Sequence, residues 1–324
     1  MNSRALLPAL ILTGIVSVGI GLTQGSVDLS LTDIHAALLG HHRPSLQHTL
    51  IMDIRLPRVL LALVTGALLA VAGVLMQVLL RNPLADPYLL GVSGGAAVAA
   101  LSAMLLGLGS TLVNTSAFGG ALLATLLVFV IAHGRGGWTP TRLLLTGVVL
   151  ASGWGAMISF LLATSPNTHI HGLLYWLLGD LSGNHSVLPA SLLLLLALIA
   201  SLPIARHLNV MVQGDDQARS LGVDVNRLRL LLLTIAALLT ATAVTLAGTI
   251  GFIGLVVPHM LRMTGLHDHR LLIPASALLG GILLVLADTL ARTLLLPAEL
   301  PVGIFTAVLG IPLFLFLLYR SRLA

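Results

Sequence analysis

Arginine carries the most evident binding chemistry in this sequence, since all 16 basic residues are arginine and a guanidinium binds carboxylates in a bidentate geometry. Arg55 and Arg58 stand three residues apart, so they share one face of a helix. Arg292 follows Asp288 by four residues, the spacing of an ion pair along a helix. Arginine is disfavoured in short outside segments, where the topology below places all three. Their placement therefore predicts a carboxylate-bearing partner.

Histidine is the other side chain that could bind a ligand, and metal or haem ligation has to be considered for six residues. They are histidines 41, 42, 48, 169, 171 and 185. No carboxylate or second set of ligands is fixed near them in the sequence, which favours solvated loop histidines over a metal site. The chain has no cysteine, which excludes disulfides and thiolate metal sites. We therefore predict no metal site.

Enzymatic and ion-coupled functions find little support in the residues. A phosphate-binding loop of the type GxxxxGK[ST] needs a lysine, and the chain has none. No HExxH pair or other evident catalytic arrangement occurs within an apolar span. A secondary transporter needs acidic or histidine side chains inside the bundle, and the nearest candidate, Asp288, lies close to a span end. Ion-coupled transport stays the less favoured alternative, and energy has to come from a partner.

The composition is that of a polytopic membrane protein. The 324 residues are 57% hydrophobic and 8% charged, with a mean hydropathy of +1.05, which places the chain far outside the soluble class. Apolar windows near 20 residues fit membrane helices and exclude the alternating pattern of a β-barrel. We expect an all-α bundle and no nucleic-acid binding, because the arginines sit in short loops between apolar spans. Ten spans are predicted, at 5–22, 60–80, 88–108, 112–132, 143–163, 187–204, 228–247, 249–263, 272–290 and 302–319.

The distribution of arginine predicts the orientation of these spans. Ten spans put both termini on one side, and with that side cytoplasmic twelve arginines lie inside and four outside. The outside four are arginines 43, 55, 58 and 292. Because positive residues accumulate in cytoplasmic loops, we predict that both termini are cytoplasmic.

Local patterns refine this picture. In the second span Gly66, Ala70, Gly73 and Gln77 share one face, which predicts close packing against another helix. The eighth span is broken by Gly251, Gly254 and Pro258, so its backbone has to be buried in protein or line a water-filled path. Segment 164–186 predicts a short amphipathic helix at the interface. Segment 207–226 predicts a helical turn between Gly214 and Gly222.

Several sequence motifs resemble the FecCD-type permeases, the membrane subunits of type II ATP-binding-cassette importers for iron-siderophores, haem and cobalamin. The resemblance covers nearly the whole length. The motifs in its first two thirds are RLPR at 55–58, GALLAVAGVLMQ at 66–77, RNPLADPYLLGVSGGA at 81–96 and QGDDQARSLGV at 213–223. Those in the last third are GTIGFIGLVVPHMLR at 248–262, GLHDHRLLIP at 265–274, ADTLAR at 287–292 and ELPVGIFTAVLGIPLF at 299–314.

The resemblance implies a single permease domain over residues 1–324 with the ten-helix fold of type II importer permeases. It implies a homodimer in the bacterial inner membrane, with a translocation path at the dimer interface. Two ATPase subunits on the cytoplasmic side would hold ATP and Mg²⁺, while this chain binds no cofactor. A periplasmic binding protein would deliver the substrate, a bulky metal chelate. We expect an iron-siderophore complex, with cobalamin or haem as alternatives.

The resemblance also implies roles for particular residues. Asn82 and Leu84, with Thr141 as their partner, correspond to a cytoplasmic gate. The loop at 207–226 corresponds to the coupling element that docks on the ATPase. Its expected contact residues are Gly214, Asp215, Asp216, Ala218, Arg219, Leu221 and Gly222. Arg55, Arg58 and Arg292 would receive carboxylates of the binding protein. We interpret Arg262, His267, His269 and Arg270 mainly as charges that set the topology.

Overall fold

The fold is an all-helical bundle, described by a computed structural model for residues 3–25, 27, 29–39, 46–133, 139–183, 186–296 and 298–321. No strand occurs among these residues. The first seven helices are α1 Ser3–Thr23, α2 Leu31–Leu38, α3 Leu46–Thr49, α4 Leu56–Leu80, α5 Val92–Leu105, α6 Ser110–His133 and α7 Pro140–Thr164. The others are α8 Asn167–Leu178, α9 Leu188–Met211, α10 Asp215–Ser220, α11 Val225–Ala247, α12 Ile253–Met263, α13 His269–Thr293 and α14 Val302–Ser321. A π-helical segment, Leu50–Arg55, joins α3 to α4, and a 3-10 turn, Pro87–Leu90, precedes α5.

Each of the ten predicted spans overlaps one helix of the bundle. Within the described residues, seven segments are long and apolar enough to cross a membrane, and α5, α12 and α14 add shorter apolar helices. The boundaries differ in two places. The helical backbone continues upstream of Pro57 through the π-helical segment to Leu46, so the second span is longer than predicted. The third is shorter, because α5 has only 14 residues and reaches about 21 Å at 1.5 Å per residue.

Helix α4 forms the centre of the bundle. In its most hydrophobic window 89% of the residues are buried, compared with 11% for α7 and 22% for α9. It packs against α11, α12 and α13. The structure also defines two ends. We call the end carrying Arg81, Asp215 and Arg262 the inner end, and the end carrying Arg58, Tyr175 and Glu299 the outer end.

Small residues bring α4 into backbone contact with its neighbours, as the sequence pattern predicted. A Cβ added to Gly66 would lie 2.2 Å from the carbonyl oxygen of Gly280 in α13. A Cβ added to Gly73 would lie 1.9 Å from the carbonyl oxygen of Gly254 in α12. Since no side chain fits at either distance, these contacts set the separation of the three helices.

We predict that Gly73→Ala lowers the thermal stability of the detergent-solubilised protein. The added methyl group has to push α12 away from α4, and overpacking of this kind costs about 1–3 kcal/mol. Gly119→Ala in α6 is the matched control, because Gly119 is exposed and an added Cβ there meets nothing within 4 Å. Unfolding midpoints measured in parallel test this expectation. Equal midpoints for the two variants would show that the Gly73 contact does not set the helix spacing.

Candidate functional site

Two interrupted helical segments meet beside α4. The 3-10 turn Pro87–Leu90 lies against the extended residues before α12, and a Cβ on Gly254 would approach the Pro87 ring to 2.7 Å. The backbone N–H of Ile250 donates to the Tyr88 hydroxyl at 3.1 Å. The Gln77 amide donates to the carbonyl oxygen of Leu255 at 3.3 Å. Side chains thus satisfy part of the irregular backbone, and the broken eighth span is packed in protein at this point.

The turn that follows α4 contains two of the three predicted gate residues. Arg81 ends α4 in the left-handed region, with φ 48°, and reverses the chain direction. The Asn82 side-chain oxygen accepts from the N–H of Leu84 at 2.9 Å, which stabilises the turn, and the Leu84 side chain is exposed. Thr141 lies exposed in the first turn of α7. No hydrogen bond joins Thr141 to the turn among the described residues, so the gate stays a prediction.

The coupling loop contains the predicted helical turn. α10 begins after Gly214, which has φ +134°, and Gly222 at φ +80° follows its last turn. The N–H of Val223 donates to the Ala218 carbonyl at 3.0 Å, which closes the helix end. Ala218 is fully buried against the bundle, whereas Leu221 is 63% exposed. The loop therefore presents an apolar side chain at the inner end of the molecule.

An ionic contact links α10 to the rest of the inner end. Asp215 forms an ion pair with Arg229 of α11, whose side chain is buried. The other Asp215 oxygen lies 3.7 Å from the Arg81 guanidinium, beyond hydrogen-bond distance. Arg81 directly precedes Asn82 of the predicted gate. The Asp215 carboxylate of α10 therefore lies between Arg229 of α11 and Arg81 at the end of α4. The sequence did not reveal this contact.

Arg262 and His269 have structural partners in addition to their interpretation as topology charges, which stays a prediction. Arg262 at the end of α12 is half-buried, and its guanidinium donates to the side-chain oxygen of Gln77. His269 is buried, and its Nδ1 lies 2.6 Å from the side-chain oxygen of Asn209. His267 and Arg270 are exposed at the same end, as the topology interpretation expects.

At the outer end the structure corrects the expectation of a three-arginine rim. Arg55 is only 4% exposed, and its guanidinium donates to the carbonyl oxygens of Leu22 and Thr23, both at 2.8 Å. Arg292 is 5% exposed and donates to the Gly21 carbonyl at 3.1 Å. Both arginines hold the end of α1 against the bundle. Neither is placed to contact a docking protein.

Arg58 is the member of the trio that reaches the surface. Its guanidinium contacts buried Asp288 at 3.0 Å and Glu299 at 2.6 Å. Asp288 also pairs with Arg292 at 3.0 Å, as the spacing of the two residues predicted. The Glu299 side chain is 51% exposed, compared with 11% for Arg58. The cluster is electrically balanced only with Glu299, and this outermost carboxylate lies in the loop that leads into α14.

The predicted interfacial helix is present as α8 and contacts the same loop. The Tyr175 hydroxyl donates to the Glu299 carbonyl at 3.1 Å, and the N–H of Val302 donates to the Gly179 carbonyl at 3.1 Å. Tyr175, Trp176 and Glu299 help to line an outer cavity of about 550 Å³. The loop bearing Glu299, α8 and the start of α14 are therefore joined at the outer end.

The exposed face of α7 is more mixed than that of α9. On α9 it consists mainly of large aliphatic side chains such as Leu192, Leu195 and Leu196, which suit contact with lipid. On α7 Ser152, Gly153 and Ser159 lie among exposed apolar residues such as Val149 and Phe160. Small and polar residues on a membrane helix are typical of contact with protein or water. The α7 face is therefore the best candidate for a subunit interface or a translocation path.

The structure describes three of the six histidines that were considered as metal ligands, at positions 48, 169 and 171. Histidines 41, 42 and 185 lie outside the described residues, whereas His169 and His171 lie in α8. The described part of the chain contains no group of three or more His, Cys, Asp or Glu side chains that could hold a metal ion. His171 instead packs its ring against Tyr175, with the ring centroids 4.4 Å apart.

Three relatives are permeases of import systems with different substrates. The cobalamin permease BtuC of Halobacterium salinarum is 45% identical over 90% of this chain and 79% of its own length. The hemin permease HmuU of Yersinia pestis is 45% identical over 84% of this chain and 83% of its own. The Fe(3+) dicitrate permease FecD of Escherichia coli is 43% identical over 90% of both chains.

The fold has a solved counterpart as well. An inward-facing structure of a metal-chelate type ABC transporter matches 98% of this chain and 99% of its own, with a TM-score of 0.87 and 31% identity. The sequence profile of the FecCD transport family matches residues 10–320. The chain therefore belongs to the FecCD transport family, the permeases of type II ATP-binding-cassette importers.

Proposed function

We propose that this chain is the permease subunit of an ATP-driven importer that carries a metal chelate from the periplasm to the cytoplasm. The observation that carries the proposal is the inner end, where α10 presents Leu221 and connects through Asp215 to the turn after α4. A short exposed helix tied to a membrane helix suits transmission of movement from a soluble ATPase. The ATPase subunits would hold ATP and Mg²⁺, and the inner end, with both termini, would face the cytoplasm.

The face of α7 supports a homodimer with the path between its subunits. This helix is long enough to span the membrane, yet it is the least buried of the long helices. Its exposed serines and glycines suit contact with a second copy, or with substrate and water, better than contact with lipid. Ion-coupled transport is not favoured, because Asp288 is held by two arginines and is not free to carry a coupling proton.

An iron chelate is the proposed substrate, with cobalamin and haem as the alternatives. The three relatives carry chelates of iron or cobalt that differ in size and shape, so the shared chemistry is a bulky metal complex. A periplasmic binding protein selects such a complex before it reaches the permease. The choice among chelates then depends on that protein and on the residues that line the path.

The importer function is tested in proteoliposomes. We expect the purified chain to show no ATP hydrolysis. Transport of chelate out of the vesicle lumen should require the ATPase subunits, ATP outside the vesicles in contact with the inner end, and the binding protein within. Parallel assays with a ferric siderophore, ferric dicitrate, cobalamin and haem loaded in the lumen identify the substrate. ATP hydrolysis by the chain alone, or transport driven by an ion gradient without ATP, would falsify the proposal.

We predict that Asp215→Asn lowers the number of chelates transported per ATP by roughly fivefold or more, the usual size of an allosteric coupling. The substitution removes the carboxylate between Arg81 and Arg229, so movement of α10 is no longer transmitted to the gate turn. Asp224→Asn is the control, because it removes the same charge from an exposed position of the inner end outside the expected contact residues, and asparagine can still cap α11. Transport and hydrolysis are measured on the same vesicles. The same ratio for both variants contradicts the linking role of Asp215.

We predict that Glu299→Gln accelerates association of the binding protein a few-fold and steepens its dependence on salt. Arg58 then no longer shares its charge with Glu299 and can attract a carboxylate of the docking protein. Arg58→Gln should have the opposite effect. Asp53→Asn provides the same change of charge at an exposed position of the outer end. The measurement is the association rate of the binding protein across a salt series. If Glu299→Gln and Asp53→Asn change this rate equally, the binding protein does not dock at Arg58.

A further inference from the structure

The inner end contains a polar cavity that the transport proposal leaves without a role. Its volume is about 550 Å³, and it lies where the ends of α4, α9 and α12 meet the start of α13. Hydrogen-bonding side chains dominate its lining, among them Gln77, Asn82, Asn209, Gln213, Arg262 and His269. A cavity of this size, lined by polar side chains of four helices, has room for a ligand larger than a few waters.

Arg262 is held in a fixed orientation at this cavity. The Gln77 side chain is buried, and its amide nitrogen donates to the Leu255 carbonyl at 3.3 Å, which leaves its oxygen to accept from Arg262. Gln77 is a neutral partner and compensates no charge. Among the described residues no carboxylate forms an ion pair with Arg262, unlike Arg58, Arg81, Arg229 and Arg292. A half-buried guanidinium held in this way is prepared to bind an anion.

The side-chain amides of Asn209 and Asn82 are also held in fixed orientations by hydrogen bonds. One of them still has an N–H group that can donate to a ligand. The N–H of His269 donates to the Asn209 oxygen at 3.0 Å, and the Asn209 nitrogen donates to Asp268 at 2.9 Å, so this amide has only one possible orientation. Because the Asn209 oxygen is an acceptor, the Nδ1 of His269 at 2.6 Å carries the proton of that contact. The oxygen of Asn82 accepts from Leu84, which leaves its nitrogen available as a donor.

The balance of charge around the cavity is positive. Two arginines, Arg81 and Arg262, contribute to its lining, against one carboxylate, Asp268. The Asp268 oxygen that faces Asn209 already accepts a second hydrogen bond, from the N–H of Arg270 at 3.0 Å, as the cap of α13. Arg81 is partly balanced by Asp215, whereas Arg262 is not.

We propose that this cavity binds a phosphate-bearing anion, with Arg262 as the principal ligand and the Asn82 amide as a second donor. A tetrahedral oxyanion accepts hydrogen bonds from a guanidinium and from amides at the same time, and cavities of this kind between membrane helices bind anionic headgroups. The anion is either a soluble phosphate or the headgroup of an anionic lipid. Because Asn82 belongs to the predicted gate turn, the bound anion connects that turn to α12.

The test uses the full-length chain in nanodiscs of phosphatidylcholine. Inorganic phosphate is titrated at constant ionic strength, with chloride as the replaced anion, and the unfolding midpoint is recorded. In a second arm, phosphatidylglycerol replaces part of the lipid, and native mass spectrometry counts the lipids retained by the protein. We expect a saturable stabilisation in at least one arm. A response to phosphate identifies a soluble ligand, and a response to phosphatidylglycerol alone identifies a lipid headgroup.

Two pairs of variants assign the response to the cavity. Arg262→Gln should weaken binding roughly tenfold to a hundredfold, the loss expected for hydrogen bonds to a charged group. Its control is Arg270→Gln, which removes the same charge from an exposed position nearby. Gln213→Glu adds a negative charge to the exposed rim of the cavity and should weaken binding several-fold without touching the Gln77 contact. Its control is Gln217→Glu on α10, which is exposed and does not line the cavity.

The proposal is overturned if neither phosphate nor phosphatidylglycerol gives a saturable response. It is also overturned if each variant responds as its control does, because the effect then belongs to the general charge of the inner end. Should Arg262→Gln fail to fold, the comparison of Gln213→Glu with Gln217→Glu decides the outcome alone. None of these readouts requires transport, so the result does not depend on the importer function.

Discussion

The need to satisfy backbone polar groups inside hydrocarbon is the constraint on which this structure depends. A chain that leaves the helical conformation within a membrane has no water to bind, so another part of the protein has to supply the hydrogen bonds. Here the turn before α5 and the extended residues before α12 interrupt two helices at one place. Tyr88 and Gln77 bond to the freed backbone groups, and glycines allow the close approach that these bonds require. The small-residue face of α4 and the two broken helices are therefore parts of a single arrangement.

Charge at the two ends obeys a related rule, because a buried ion needs a partner. At the outer end Asp288 is shared by Arg58 and Arg292, and Glu299 completes the balance at the surface. Arg55 bonds to the carbonyl oxygens of Leu22 and Thr23, so it stabilises the end of α1. At the inner end Asp215 lies between two arginines that belong to different helices. Electrostatic contacts thus connect segments that apolar packing alone leaves independent.

The sequence predicted the features that depend on local pattern. Each window chosen by hydropathy overlaps a helix, the glycine spacing in α4 predicted its close contacts, and Gly214 and Gly222 marked the limits of α10. It could not predict the length of α5, because an apolar window does not distinguish a helix from a 3-10 turn followed by a shorter helix. It also did not reveal the buried contacts of Arg55 and Arg262. Their partners, backbone carbonyls near residue 22 and the amide of Gln77, are remote in sequence, and backbone carbonyls have no side-chain signature.

Backbone contacts between helices indicate which parts of the bundle are held together. α4 contacts α12 and α13 through backbone groups, and such contacts do not slide without a clash, so we expect these three helices to move as one body. α7 is the least buried long helix, yet a Cβ on Gly147 would lie 2.0 Å from the carbonyl oxygen of Leu89 in the turn before α5. That turn also touches α12, since a Cβ on Gly254 would lie 2.7 Å from the Pro87 ring. α7 is therefore fixed to the core at Gly147, and its low burial reflects an exposed outer face rather than freedom to move independently of the core.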